Sequence, residues 1–244
     1  MIDVRDLWKS FNGFGVLKGI NLQMAPGTTT VVLGGSGSGK TVLMKHIMGL
    51  FKPDKGEVIV DGENVSVMSR QELAIFRQRM GMVFQNAALF DSMTVGDNVA
   101  FPLREHTKMS EDEIGAKVKE KLAVVDLFDV EQKFPAELSG GMRKRVGLAR
   151  AIIRDPKIVL YDEPTTGLDP LTTESVDQMI IGARKKLGVT SVVISHDIGS
   201  AFHIADHIAM LHHGVIVEQG TPAQLRNSKE PHTQEFLATW FARQ

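Results

Sequence analysis

Residues Gly34 to Thr41 read GGSGSGKT, with the spacing G-x-x-x-x-G-K-[ST]. The apolar run TTTVVL precedes them and KTVLMKHIMGLF follows. In such a stretch the glycines let main-chain N–H groups curl around an anion. The ammonium of Lys40 reaches terminal phosphates, and the Thr41 hydroxyl can ligate a divalent cation. The chemistry needs a strand entering the loop and a helix leaving it, because the first N–H groups and the dipole of that helix face the anion. A second stretch, LSGGMRKRVGLARA from Leu138 to Ala151, offers a Ser and two glycines at the start of another helical run. The chain therefore carries two candidate phosphate sites, and the second needs an explanation.

The stretch IVLYDE supplies a partner for the first cradle. A strand ending in Asp162 presents a carboxylate to a metal ion held with the phosphates, and Glu163 beside it can orient or deprotonate an attacking water. Together these motifs point to a nucleoside triphosphate hydrolase. A GTPase would read guanine with an Asn-Lys-x-Asp stretch, and the sequence contains none.

Composition narrows the field. With 244 residues, 43% hydrophobic and 23% charged, the chain can bury a full core. Its net charge of −1 provides no global attraction to nucleic acid or to an anionic membrane, and no nucleic-acid partner is expected. The local basic runs Arg143 to Arg145 and Arg184 to Lys186 lie in helical stretches and read as solvated faces. The absence of cysteine excludes disulfides and Cys-based metal or redox sites. His203 and His207 have the i, i+4 spacing of a zinc pair, but the usual Glu after the first His is missing, so they read as ordinary helix and hairpin histidines. The opening MIDVRDLWKS lacks the basic-then-apolar pattern of a secretory leader, and no apolar run approaches the ~18 residues of a membrane span. The expectation is a soluble, cytoplasmic protein whose membrane association comes through a partner.

The elements that position these residues follow from periodicity and turn chemistry. MIDVRDLWKSFNGFGVLKGINLQMAPG alternates around Gly-containing turns and predicts antiparallel strands. GEVIVDGENV predicts a hairpin with Asp61-Gly62 at its turn. MGMVFQ, KIVLYDE and SVVISHD read as further strands, and TTESVDQMIIGARKKLG as a helix. Ser110 and Glu113 form a capping box ahead of Ile114, Val118, Leu122 and Val125 at helical spacing. HIAMLHHGVIVEQG reads as a hairpin, followed by a short C-terminal helix. The reading is one domain over 1–244: an α/β core with a β subdomain (1–85 and 155–244) around a largely parallel sheet, and a helical subdomain inserted at 86–154.

With LSGGM at Leu138 to Met142, Gln85 after a strand, GLDP at Gly167 to Pro170 and His196 after VVIS, the sequence resembles the ATPase subunits of ABC transporters. The motifs stand in that family's order from Phe11 to His196. The resemblance implies a P-loop NTPase (RecA-like) core with an N-terminal antiparallel β subdomain and an inserted helical subdomain. It implies ATP and Mg²⁺ as cofactors. The nucleotide would be held by Gly34, Gly35, Ser36, Gly37, Ser38, Gly39, Lys40, Thr41 and Val42, with Phe11 stacked on adenine; Trp8 is the other nearby aromatic. Thr41, Gln85 and Asp162 would hold the metal. Glu163, His196, Gln85 and Lys40 would act in hydrolysis, with Gln85 and His196 sensing the γ-phosphate. In this family two subunits dock head to tail, so Ser139, Gly140, Gly141 and Asp169 would serve ATP held by the other copy. That accounts for the second phosphate site.

The run ALFDSMTVGDNVAFPLREH, which follows Gln85 after Asn86 and Ala87, resembles ATPases of Mla/Mce-type lipid transport systems. This implies lipid transport through a separate integral membrane permease, with the subunit held at the cytoplasmic face of the inner membrane. An Mce-domain protein and a small regulatory cytoplasmic subunit are further implied partners. The alternatives are an amino-acid-type importer subunit and an ABC ATPase that works without a permease. Leu89, Phe90 and Met93 are expected to face the permease, with Arg104 and Glu105 at the rim. The other reading is that Ala88, Leu89, Phe90 and Phe101 simply pack the helical lobe. No sensor domain is expected after the cassette.

Overall fold

The structure, a computed structural model, describes residues 1–241. They form two compact units, one of residues 1–77 with 192–244 and one of residues 78–191.

In the first unit, β1 (Ile2–Phe11) and β2 (Phe14–Met24) pair antiparallel through a tight turn at Asn12 and Gly13, with φ of 50° and 83°. Two successive positive φ values are what a type I′ hairpin requires, and Asn-Gly supplies them. β3 (Thr29–Leu33) is buried at every residue and runs into the phosphate-loop candidate, which opens α1 (Lys40–Ile47). Burying Val31, Val32 and Leu33 contributes about 1.5–3 kcal/mol each. The helix is shorter than the apolar run KTVLMKHIMGLF suggests, because Gly49 turns left-handed at φ 64° and ends it. β4 (Lys55–Val60) and β5 (Glu63–Asn64) form the expected hairpin, giving the sheet order β2-β1-β4-β5. α2 (Arg70–Arg77) follows.

The second unit begins with β6 (Met80–Val83) and continues through three helices: α3 (Val95–His106), α4 (Glu111–Val124) and α5 (Gly140–Ile152). β7 (Ile158–Asp162) runs parallel to β6, and α6 (Pro170–Leu187) comes next. The Ser110–Glu113 capping box forms at the start of α4, and Ile114, Val118 and Leu122 are buried on one face. α5 packs on β6, α3, α4 and α6.

β8 (Thr190–Ser195) leads back into the first unit, where α7 (Ile198–Ile204), β9 (His207–His212), β10 (Val215–Gly220), α8 (Pro222–Arg226) and α9 (Pro231–Phe241) complete the described chain. There β3 pairs parallel with β9, and β9 pairs antiparallel with β10. The C-terminal region thus holds two helices rather than one, and Pro231 starts the second. His203 lies in the last turn of α7 and His207 opens β9, so their spacing does not place them on one helical face. Among the described residues, no helix is long and apolar enough to cross a membrane.

Candidate functional site

The first unit holds the candidate phosphate cradle. β3 delivers Gly34 against the hairpin of β9 and β10 so closely that a Cβ there would lie 2.2 Å from the Leu211 carbonyl oxygen. Gly39 adopts φ 110° at the N-cap of α1 and makes no side-chain cap, so no side chain competes for the first N–H groups of the helix. Lys40 is buried, and its ammonium donates to the Gly34 carbonyl at 2.8 Å and the Gly35 carbonyl at 3.0 Å. Ser38 Oγ is buried without a hydrogen-bond partner. A buried ammonium, a hydroxyl with unused bonding capacity and a helix N-terminus fit an anionic, oxygen-rich ligand. Gly35, Ser36 and Gly37 are exposed, as is Thr41, while Val42 is half-buried. The Gly214 N–H donates to the Ser38 carbonyl at 3.1 Å, tying the β9–β10 turn to the loop.

Phe11 closes the β1–β2 hairpin. Its ring meets Phe51 edge-on at 5.4 Å, and Lys9 lies 5.5 Å from its centroid. Trp8 instead donates its Nε1–H to Asp6 at 2.7 Å. The sequence reading passed over Phe14, which pairs with Phe11 across the turn and is 78% exposed. The Asn-Gly turn was the signal that sets these two rings at one tip. His196 follows β8 and is exposed.

The second unit holds the remaining residues. β7 ends at Asp162, and Glu163 immediately adopts a left-handed φ of 48°. This conformation is uncommon for a residue with a Cβ and turns the chain sharply at the strand end. Gln85 is exposed after β6. Ser139 caps α5, its Oγ accepting from the Met142 N–H at 3.2 Å. Asp169 caps α6, accepting from the Leu171 and Thr172 N–H groups at 3.0 Å each. Hydrogen bonds from Thr172, with those from the main chain, hold its carboxyl below the ordinary value. Ser139, Gly140, Gly141 and Asp169 line one depression of about 540 Å³, with Arg145 and Thr172 on its wall. The structure thus brings together the signature stretch and the GLDP stretch, which are distant in sequence.

One expectation is corrected in part in this unit. In the run Arg143 to Arg145 only Arg143 is exposed as expected: Lys144 is buried against the Gln85 carbonyl, and Arg145 is half-buried and donates to the Val125 carbonyl at 2.7 Å. A main-chain carbonyl takes the Lys144 charge, and Arg145 adds Asp126 at 3.4 Å and the Ser175 hydroxyl at 2.9 Å. Arg104 keeps an exposed side chain, and its guanidinium bridges Asp97 at 2.8 Å and Glu111 at 2.7 Å. Of the apolar residues after Gln85, Ala87 is buried, whereas Phe90 is 44% exposed and touches Phe101 at 5.1 Å.

Comparison with known proteins agrees with this layout. The family model described as ABC transporter matches residues 17–166. The chain is 44% identical to the probable ribonucleotide transport ATP-binding protein mkl of Mycobacterium tuberculosis, over 97% of its own length and 66% of that protein. It therefore spans just under two thirds of the mycobacterial relative. It is 41% identical to the intermembrane phospholipid transport system ATP-binding protein MlaF of Escherichia coli, over 97% of its length and 88% of that protein. Among solved structures, the dimeric ATP-binding cassette MJ0796 in a post-hydrolysis state with ADP and Pi superposes with a TM-score of 0.81. It is 31% identical, and the match covers 91% of this chain and 99% of that one. The cassette cbiO1 of Clostridium perfringens gives 0.87 at 30% identity, covering 99% and 96%. These structural neighbours share the α/β P-loop NTPase architecture. The chain belongs to the ABC transporter family.

Proposed function

We propose that the chain powers lipid transport, most specifically of phospholipids, through a separate membrane permease, working as a head-to-tail pair of copies. The observation that carries the nucleotide reading is the buried Lys40 ammonium, resting on loop carbonyls at a helix N-terminus that no side chain caps. In this reading Gly34 to Val42 wrap the ATP phosphates and Phe11 stacks on adenine. Thr41, Gln85 and Asp162 would hold Mg²⁺, which would supply charge neutralisation at the phosphates when bound. Glu163 orients the attacking water, and Gln85 and His196 contact the γ-phosphate. Ser139, Gly140, Gly141 and Asp169 close over the nucleotide of the second copy, with residues 86–154 as the moving helical lobe.

The cargo reading rests on the likeness to MlaF over most of both chains, and on the partly exposed apolar residues after Gln85. A permease helix docked against Leu89 and Phe90 would be drawn along at each closure, with the cassette on the cytoplasmic face of the inner membrane. An Mce-domain protein and a regulatory subunit complete the proposed complex. The test is reconstitution with the cognate permease in proteoliposomes. ATP-dependent transfer of labelled phospholipid is the expected result. Because the mycobacterial relatives are named for ribonucleotide transport, ribonucleotide uptake with no lipid movement is the result that would replace this reading.

A further inference from the structure

The loop that carries Gln85 is pinned to the signature helix by side chains whose partners are all main-chain carbonyls. Lys144 Nζ donates to the Gln85 carbonyl. Arg150 donates through Nη2 to the Ala87 carbonyl at 2.7 Å and through Nη1 to the Ala88 carbonyl at 2.8 Å, with its guanidinium 5.9 Å from the Phe90 ring centroid. Between the two cations, Gly147 faces the same loop, and a Cβ added there would lie 3.1 Å from the Cβ of Ala87. Neither cation forms an ion pair among the described residues, and burial depresses the pKa of both. The pinned backbone is itself unusual, since Ala87 and Ala88 are both left-handed, at φ 59° and 48°. Successive non-glycine residues in this region persist only where their surroundings hold them.

We infer that Lys144 and Arg150 are positioning residues that lock the Gln85 loop onto α5, so that Gln85 moves as one body with Ser139, Gly140 and Gly141. This rests on the assignment of Gln85 and the signature residues given above. Its consequence is that Gln85 and the signature stretch of one chain are mechanically joined. Whatever the neighbour's nucleotide does to Ser139 is delivered, along one helix, to this chain's own Gln85. The P-loop lies outside the clamp, so nucleotide affinity is left to Gly34–Thr41.

The test uses the full chain and two different perturbations. Arg150→Gln removes the clamp's charge and fork. Gly147→Ala keeps every charge, suits a helix interior better than glycine, and pushes the loop by a few tenths of an ångström. Each is expected to lower kcat by roughly 10- to 100-fold through misplacement of Gln85, with ATP affinity, read by a fluorescent nucleotide, unchanged. Arg150→Lys, which can remake one of the two carbonyl bonds, should restore part of the rate. Wild-type kcat in both folded variants overturns the inference, as does a loss of affinity that matches the loss of rate. If Arg150→Gln fails to fold, Gly147→Ala decides alone. Gln85→Ala separates the two levels. A normal kcat there removes the underlying assignment and the inference with it. A low kcat in Gln85→Ala beside normal rates in the clamp variants removes the inference only.

Discussion

Thr166 Oγ1 donates to Glu163 Oε2 at 3.2 Å, fixing a carboxylate that projects from a left-handed turn at the end of β7. Held this way, Glu163 has a defined direction. Glu163→Gln should therefore lower ATP turnover by at least about 100-fold while ATP binding persists. Light scattering should show this variant as a dimer with saturating ATP. A persistent monomer would sink the shared-site arrangement.

Lys40→Ala should act on binding rather than on turnover alone. It removes an ammonium whose charge-assisted bonds are worth about 1.5–3 kcal/mol, so the ATP dissociation constant should rise by roughly 10- to 100-fold. Calorimetric titration checks this, and an unchanged affinity would remove Lys40 from the phosphate site.

Leu89→Asp addresses coupling. The residue is half-buried and lies outside the clamp and the cradle, whereas Phe90 sits under Arg150 and is best left intact. Hydrolysis by the free subunit should stay at its basal rate, while permease binding and lipid transfer fall together. Undiminished transfer would place the coupling surface elsewhere.

Arg104 predicts a pH signature. Its hydrogen bonds hold Asp97 below the ordinary 3.8 and Glu111 below the ordinary 4.5. Carboxyls depressed in the folded state contribute stability above their unfolded values, and that contribution is lost as pH falls through the folded values. Arg104→Met should lower Tm slightly at neutral pH, since the partners are exposed. The gap between variant and wild type should close as the pH drops below about 4. A gap that stays constant down to pH 3 would contradict the assignment of these shifts to Arg104.

Ser110→Ala should cost about 1 kcal/mol in denaturant unfolding, by removing the side-chain acceptor of the Glu113 N–H from the capping box of α4.

Much of this was legible because local rules and global fold agree. The Gly34–Thr41 spacing, the Asn12-Gly13 turn and the Ser110–Glu113 box each encode geometry within a few residues. α2 was also encoded, since Ser69 and Glu72 exchange the same capping bonds, but the apolar stripe behind them is only Leu73 and Phe76. The clamp was not legible. Arg143-Lys144-Arg145 looks like any solvated basic run until the fold sets the carbonyls of Val125 and Gln85 above it. Left-handed alanines carry no compositional mark at all.

The crowding at Gly34 makes the cradle's glycines unequal under drift. A Cβ at Gly34 strikes the Leu211 carbonyl, which belongs to the main chain of another strand, whereas a Cβ at Gly35 meets open space. In a saturation library selected for accumulation of folded protein alone, Gly34 should remain invariant while Gly35 accepts alanine. Adding selection for ATP turnover should then leave Gly35 variable, as an unspecified position of the G-x-x-x-x-G-K-[ST] spacing, and purge substitutions at Lys40. The two glycines sit side by side in one motif, yet only Gly34 is held to glycine by another strand's main chain.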